Sequence, residues 1–171
     1  MNAPAYPEGF LRVKAELEAL GHPHVPRWLE VPARTSQEAA DALGVTIGQI
    51  AKSVVFRRTG GGEATADSAV LVVTSGDKRV DEERVAALVC EGGHKLARAD
   101  AEFVKARTGF SIGGVAPLAH SEPPAVLIDR ELFRFDVIWA AAGHPNGVFK
   151  LAPADLPRLT GGAPVADVVQ G

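Results

Sequence analysis

Residues 108–120, T-G-F-S-I-G-G-V-A-P-L-A-H, crowd three glycines and a proline into one segment and read as an architectural loop. Gly113 and Gly114 lack a Cβ, so a ligand can come close to bare backbone N–H groups, and Pro117 fixes φ and bars a helix from continuing. Turned inward, such N–H groups hold a carbonyl oxygen or an oxyanion. Turned outward, the same residues make a tight turn between a helix and a strand. A second chemical group is Lys52, in the apolar and small-residue run I-A-K-S-V-V-F at 50–56. On a strand it shares a face with Val54, and it stands either at an edge in water or in a cavity. The turn Gly143-His144-Pro145-Asn146 offers an imidazole that either contacts a ligand or is simply solvated.

Two other chemistries are spelled by the same residues. Gly109-Phe110-Ser111-Ile112-Gly113 reads G-x-S-x-G, and Asp129 or Asp136 and then His144 follow in the order Ser, Asp, His. A nucleophile elbow, however, places its serine between a strand and a following helix; here the helix precedes, and Gly114 and Pro117 spoil one afterwards. The five histidines, at 22, 24, 94, 120 and 144, include no i, i+4 pair and have no second cysteine beside them, so neither a metal site nor a cofactor is expected. Cys90, alone, ends an apolar run and reads as a small core residue; with no partner it forms no intrachain disulfide, which points to the cytoplasm.

The elements that must position these groups follow from periodicity and caps. Phe10, Val13, Leu17 and Leu20 recur at helical spacing and Gly21 stops them. Residues 27–31 suggest a short strand. Thr35 with Glu38 matches a capping box, giving a helix over 36–43 that ends at Gly44. Residues 50–59 and 69–75 are β-branched runs that form a hairpin joined through Gly60-Gly61-Gly62. Asp81 caps a helix over 82–90, residues 95–99 make a short strand, and Asp100 caps a helix over 101–108. Strands are expected at 125–129, 137–142 and 148–151, with a closing helix at 153–159. Hairpins mixed with interposed helices, without regular βα alternation, indicate an α+β fold with a mixed, curved sheet and flanking helices.

A length of 171 residues with 46% hydrophobic content fits one domain spanning 1–171, of which 1–8 read as a flexible tail. No apolar run approaches the roughly 20 residues of a membrane span, so no membrane partner is expected. The net charge of −3 excludes a protein that coats long nucleic acid. Residues 50–110 nevertheless carry ten Lys/Arg against nine Asp/Glu, whereas the segments on either side each carry four against six. A small nucleic-acid contact is compatible with that middle third.

Three segments taken in order, A-K-S at 51–53, T-G-F-S-I-G-G-V-A-P-L at 108–118 and A-A-G-H-P-N-G-V-F-K-L with the trailing A-D-L at 141–156, resemble the YbaK/EbsC family. That family includes the editing domain inserted in bacterial prolyl-tRNA synthetases and its free-standing relatives. The resemblance implies a trans-acting aminoacyl-tRNA deacylase in translation quality control. Its partners would be the acceptor end of a mischarged tRNA, that for proline foremost, and prolyl-tRNA synthetase or other translation factors. It implies catalytic roles for Lys52, Gly113 and Gly114, and substrate contacts from Ser111, Pro117, Gly143, His144 and Pro145. Members closest to YbaK itself carry an aspartate in the last strand where this chain has Val148, so cysteinyl specificity does not carry over. The alternatives are a non-catalytic module binding aminoacyl or nucleotide groups, and a serine hydrolase using Ser111.

Overall fold

The computed structural model describes residues 6–60 and 67–170, so Gly61, Gly62 and the first five residues lie outside it. Helix α1 (Glu8–Ala19) begins two residues earlier than expected. Pro7 sets an extended entry at φ −57°, and its carbonyl accepts the Leu11 N–H. Within the segment expected as a tail, the Tyr6 ring lies 5.1 Å from Phe10 and 5.2 Å from Trp28. Strand β1 (Arg27–Trp28) is shorter than the run expected at 27–31. Beyond it, Leu29 and Ala33 donate their N–H groups singly to Asn146 and Pro145 instead of continuing a ladder.

Helix α2 (Ser36–Leu43) forms as its capping box requires: the Glu38 N–H donates to Thr35 Oγ1, and the Thr35 N–H donates back to the Glu38 carboxylate. A 3-10 turn over Ile47–Gln49 leads into β2 (Ile50–Gly60), which pairs antiparallel with β3 (Ser68–Ser75). Then come α3 (Glu82–Val89), β4 (His94–Arg98), α4 (Ala101–Thr108) and β5 (Ala125–Asp129). The chain closes with β6 (Ile138–Ala141), β7 (Gly147–Leu151), α5 (Asp155–Leu159) and β8 (Val165–Ala166). Strand β8 and the 3-10 turn over Arg130–Arg134 have no counterpart in the sequence reading.

The eight described strands form one mixed sheet in the order β1-β7-β6-β2-β3-β5-β8, with β4 added to β2 from Phe56 onward. β2 runs parallel to β6, and β3 and β8 run parallel to β5, while the remaining pairs are antiparallel. Central β3 is covered on both faces, which is why its sequence is a continuous apolar run. Leu71 and Val73 join the main core with Phe10, Val13, Leu17, Phe110 and Phe149, whereas Val70 and Val72 face Phe56, Val85 and Val168. A third cluster, of Leu29, Ala39, Ala40, Ile50 and Val148, seats α2 on the sheet. No described helix is long and apolar enough to cross a membrane.

Candidate active site

Strand β2 changes neighbours along its length. β6 pairs with it only at Ile50 and Ala51, and β4 begins only at Phe56. Among the described residues, nothing pairs with that edge over 52–55. Ile50 accepts the Gly76 N–H on the β3 side, so the alternation of an antiparallel pair turns the N–H and C=O of Ser53 toward the open edge. A cavity of about 300 Å³ occupies this gap. Its floor is β2 from Ile50 to Val54, with Trp139, Ala140 and Val148. Ala33, Arg34 and the first residues of α2 close one side, and Gly113, Val115, His144 and Pro145 close the other.

Lys52 lines this cavity and is half-buried. Its Nζ donates to the Lys78 carbonyl at 2.7 Å, leaving two of its three hydrogens for a ligand oxygen. Burial pushes its pKa below the ordinary lysine value, against the pull of the Asp77 and Asp129 carboxylates. Both carboxylates are held in place. Asp129, fully buried, accepts from Thr74 Oγ1 at 2.7 Å and from the Glu131 N–H at 2.9 Å. At Asp77 burial acts upward, but hydrogen bonds from Arg134 and Ser75, with the charges of Arg134 and Lys78, outweigh it and keep the pKa below the usual aspartate value.

The glycine loop starts where α4 ends at Gly109, in the left-handed conformation with φ 83°. Its two central glycines have different jobs. Gly113 has φ 92°, lines the cavity, and makes no backbone hydrogen bond through its N–H among the described residues. The Gly114 N–H, expected as a second oxyanion donor, donates to the Ser111 carbonyl at 3.0 Å. A glycine is needed there for another reason, since a Cβ would stand 2.7 Å from the His144 Cα.

Three residues expected to contact substrate stand outside the cavity lining. Ser111 is exposed and its carbonyl closes the turn, while Pro117 is buried in the wall behind the loop; neither lines the cavity. Gly143, with φ 85°, takes part in a close backbone approach to Gly9, where a Cβ on either residue would collide with the other's carbonyl oxygen. The serine-hydrolase arrangement is not assembled: Ser111 follows a helix, Asp129 is committed to Thr74 and Glu131, and Asp136 is exposed.

His144 and Pro145 do line the cavity. The Asn146 N–H donates to His144 Nδ1 at 3.0 Å, which leaves Nε2 to carry the proton in the neutral ring. Burial, and then the charge of Arg34, lower its pKa and so favour that neutral form. The ring stacks on Trp28 with centroids 4.9 Å apart.

Two lining residues were not singled out in the sequence. Ser53 Oγ is buried with no hydrogen-bond partner among the described residues, although it stands in the A-K-S segment beside Lys52. Arg34 has its Cγ 3.7 Å from where a Gly113 Cβ would be, and its side chain makes no ion pair among the described residues. The capping box beside Arg34 was legible, but it carried no sign of facing a cavity.

Comparison with known proteins gives a consistent set of similarities. The family model for an aminoacyl-tRNA editing domain matches residues 30–159. The uncharacterized protein YwhH of Bacillus subtilis (strain 168) is 32% identical over 131 residues, covering 77% of this chain and 78% of its own length. A proline–tRNA ligase of Limosilactobacillus fermentum is 33% identical over 100 residues, covering 58% of this chain but only 17% of the ligase. Among solved structures, one described as a candidate trans-editing enzyme for prolyl-tRNA synthetase superposes with a TM-score of 0.83 at 38% identity. That match covers 98% of this chain and all of the other.

Proposed function

The chain belongs to the aminoacyl-tRNA editing domain family, and we propose that it acts in trans as a deacylase of mischarged tRNA, that for proline in particular. The observation that carries this reading is the convergence of Lys52, Gly113 and His144 from β2, the glycine loop and the β6–β7 turn on one small cavity.

An aminoacyl ester is already activated, so orientation and charge stabilisation supply most of what its hydrolysis needs. In this scheme a water attacks the ester carbonyl carbon. The carbonyl oxygen gathers negative charge beside the Gly113 N–H and the Lys52 ammonium. The C–O bond to the ribose then breaks, and the ribose oxygen leaves with a proton as the free amino acid forms. The free hydroxyl of the terminal adenosine helps orient the water. Ser53 Oγ, without a partner among the described residues, gains one from the bound substrate, and His144 presents Nε2–H to the ribose or the amino acid. The cavity volume and its alanine and valine lining favour a small amino acid.

The test is a panel of alanyl-, seryl- and cysteinyl-tRNA for proline, with prolyl-tRNA as control. The expected result is catalytic hydrolysis of at least one mischarged species while prolyl-tRNA is spared. Saturable binding without hydrolysis of any species would instead support a binding module.

A further inference from the structure

Lys52 stands on the wall between two cavities. The second, of about 350 Å³, shares Lys52 and Val54 with the first and extends along β2 to where β4 joins it. Its floor includes Val54 and Phe56, and its sides include Arg79, Glu82 and Arg98. The Arg79 backbone is fixed in place: its carbonyl accepts the Gln170 N–H at 2.9 Å, and the next residue, Val80, bridges to Val169. Arg98 closes β4 opposite Phe56.

The molecule holds both paired and unpaired cations, with Arg27, Arg34 and Arg58 among those in no ion pair among the described residues. Arg57, Arg84, Arg107, Arg130 and Arg134 are each paired with a carboxylate. Among the described residues, Arg79, Arg98 and Lys52 are in no ion pair. Three cations therefore face one carboxylate, Glu82, in a chain whose net charge is −3. A groove with an apolar floor and unpaired cations on its rim suits a single nucleic-acid strand, whose bases need an apolar surface and whose phosphates need charge. A tRNA acceptor end is such a strand.

We propose that this second cavity receives the single-stranded 3′ end of the substrate RNA upstream of its terminal nucleotide, with Arg79 and Arg98 contacting phosphodiester groups. Resting on the deacylase reading, the proposal gives the two cavities separate duties: the first holds the ester, the second the strand that delivers it. Glu82 opposes the strand and limits its affinity.

The test compares wild type with Arg79→Ala/Arg98→Ala and with Glu82→Gln on three probes: mischarged tRNA, the aminoacyl ester of adenosine alone, and an uncharged RNA hairpin ending in single-stranded CCA. For the double variant we expect KM for tRNA to rise at least about tenfold with kcat nearly kept, and the adenosine ester, which has no phosphates, to be hydrolysed as by wild type. The slope of log binding constant against log salt for the hairpin should fall by about 1.4, at about 0.7 per single-strand phosphate contact. Glu82→Gln should bind the hairpin more tightly, and a blunt hairpin without the overhang should not distinguish the proteins. An unchanged KM and salt slope, or equal losses on tRNA and on the adenosine ester, would overturn the proposal. A wild type inactive on both esters would refute the deacylase reading instead; the hairpin arm then still decides, since equal hairpin binding by wild type and the double variant sinks the groove assignment.

Discussion

Replacing Gly114 by alanine separates steric packing from hydrogen-bond donation in the glycine loop. The φ of Gly114 is not in the left-handed region, so alanine meets no backbone strain there. Its Cβ would, however, lie 2.7, 2.8 and 2.9 Å from the Cα, C and N of His144. These are backbone atoms and cannot rotate away. Reaching the 3.4 Å at which ordinary contact begins from 2.7 Å requires a separation of about 0.7 Å between the loop and the 143–147 turn. Overpacking of this kind costs about 1–3 kcal/mol of stability. Because the displaced turn carries His144, and misplacement by about 1 Å can cost 100-fold in rate, we expect deacylation to fall by about 10- to 100-fold. The assay is single-turnover hydrolysis of the mischarged tRNA that wild type prefers, alongside urea unfolding to read the midpoint at constant slope. Gly113→Ala is the control: its Cβ meets nothing closer than 3.7 Å, but its φ of 92° disfavours any side chain. Wild-type rate and stability in Gly114→Ala would refute the steric reasoning. Lost activity with neither lost stability nor any displacement of His144 in a crystal structure would restore the N–H donor role that the Ser111 bond argues against.

Three further outcomes are expected. Lys52→Ala should lower deacylation at least about tenfold, roughly 1.4 kcal/mol of transition-state stabilisation, while exposed Ser111→Ala stays within about threefold; a trapped acyl-serine would reverse that assignment. An amine is charged below its pKa, and burial holds that of Lys52 below the usual 10.5. The enhancement over spontaneous hydrolysis should therefore decline with rising pH before 10.5 is reached, and Lys52→Arg, charged throughout, should lack the decline; the same profile in both proteins would remove Lys52 charge from the mechanism. Asp129→Asn should destabilise the fold by about 1–3 kcal/mol, because either amide orientation sets an N–H against the backbone donor of Ser75 or of Glu131. An unfolding midpoint equal to wild type would show that this buried network adds nothing to stability.

Local signals carried most of the elements. The capping box of Thr35 and Glu38 and the Asp100 cap with Gly109 set the bounds of α2 and α4 as the sequence indicated. The β-branched runs at 50–59 and 69–75 paired as the expected hairpin. Strand β8 escaped because Val165-Ala166 is too short for a pattern and exists only by pairing with Ile128 and Asp129. In the site, Lys52 stood out as a cation in an apolar strand, and it does line the cavity. What the glycine pair does could not be read from composition, because an N–H direction depends on the turn that Ser111 closes and on the distant backbone of His144. Ser53 was hidden for a similar reason: its isolation follows from where β6 stops and β4 starts along the same strand.

Helix α1 lies wholly before residue 30, where the match to the family model begins, and yet Phe10, Val13 and Leu17 are almost fully buried in the main core. Burying such side chains contributes about 1.5–3 kcal/mol each, so the three together approach the 5–15 kcal/mol by which a domain of this kind is stable at all. The segment that the family model matches and the segment that folds thus have different ends. A polypeptide trimmed to residues 30–159 would keep every cavity-lining group of the candidate active site. It would also lose the helix whose Gly9 meets Gly143 and bare an apolar face to water, and so should be recovered as an aggregate, with its chemistry intact on paper and no scaffold to present it.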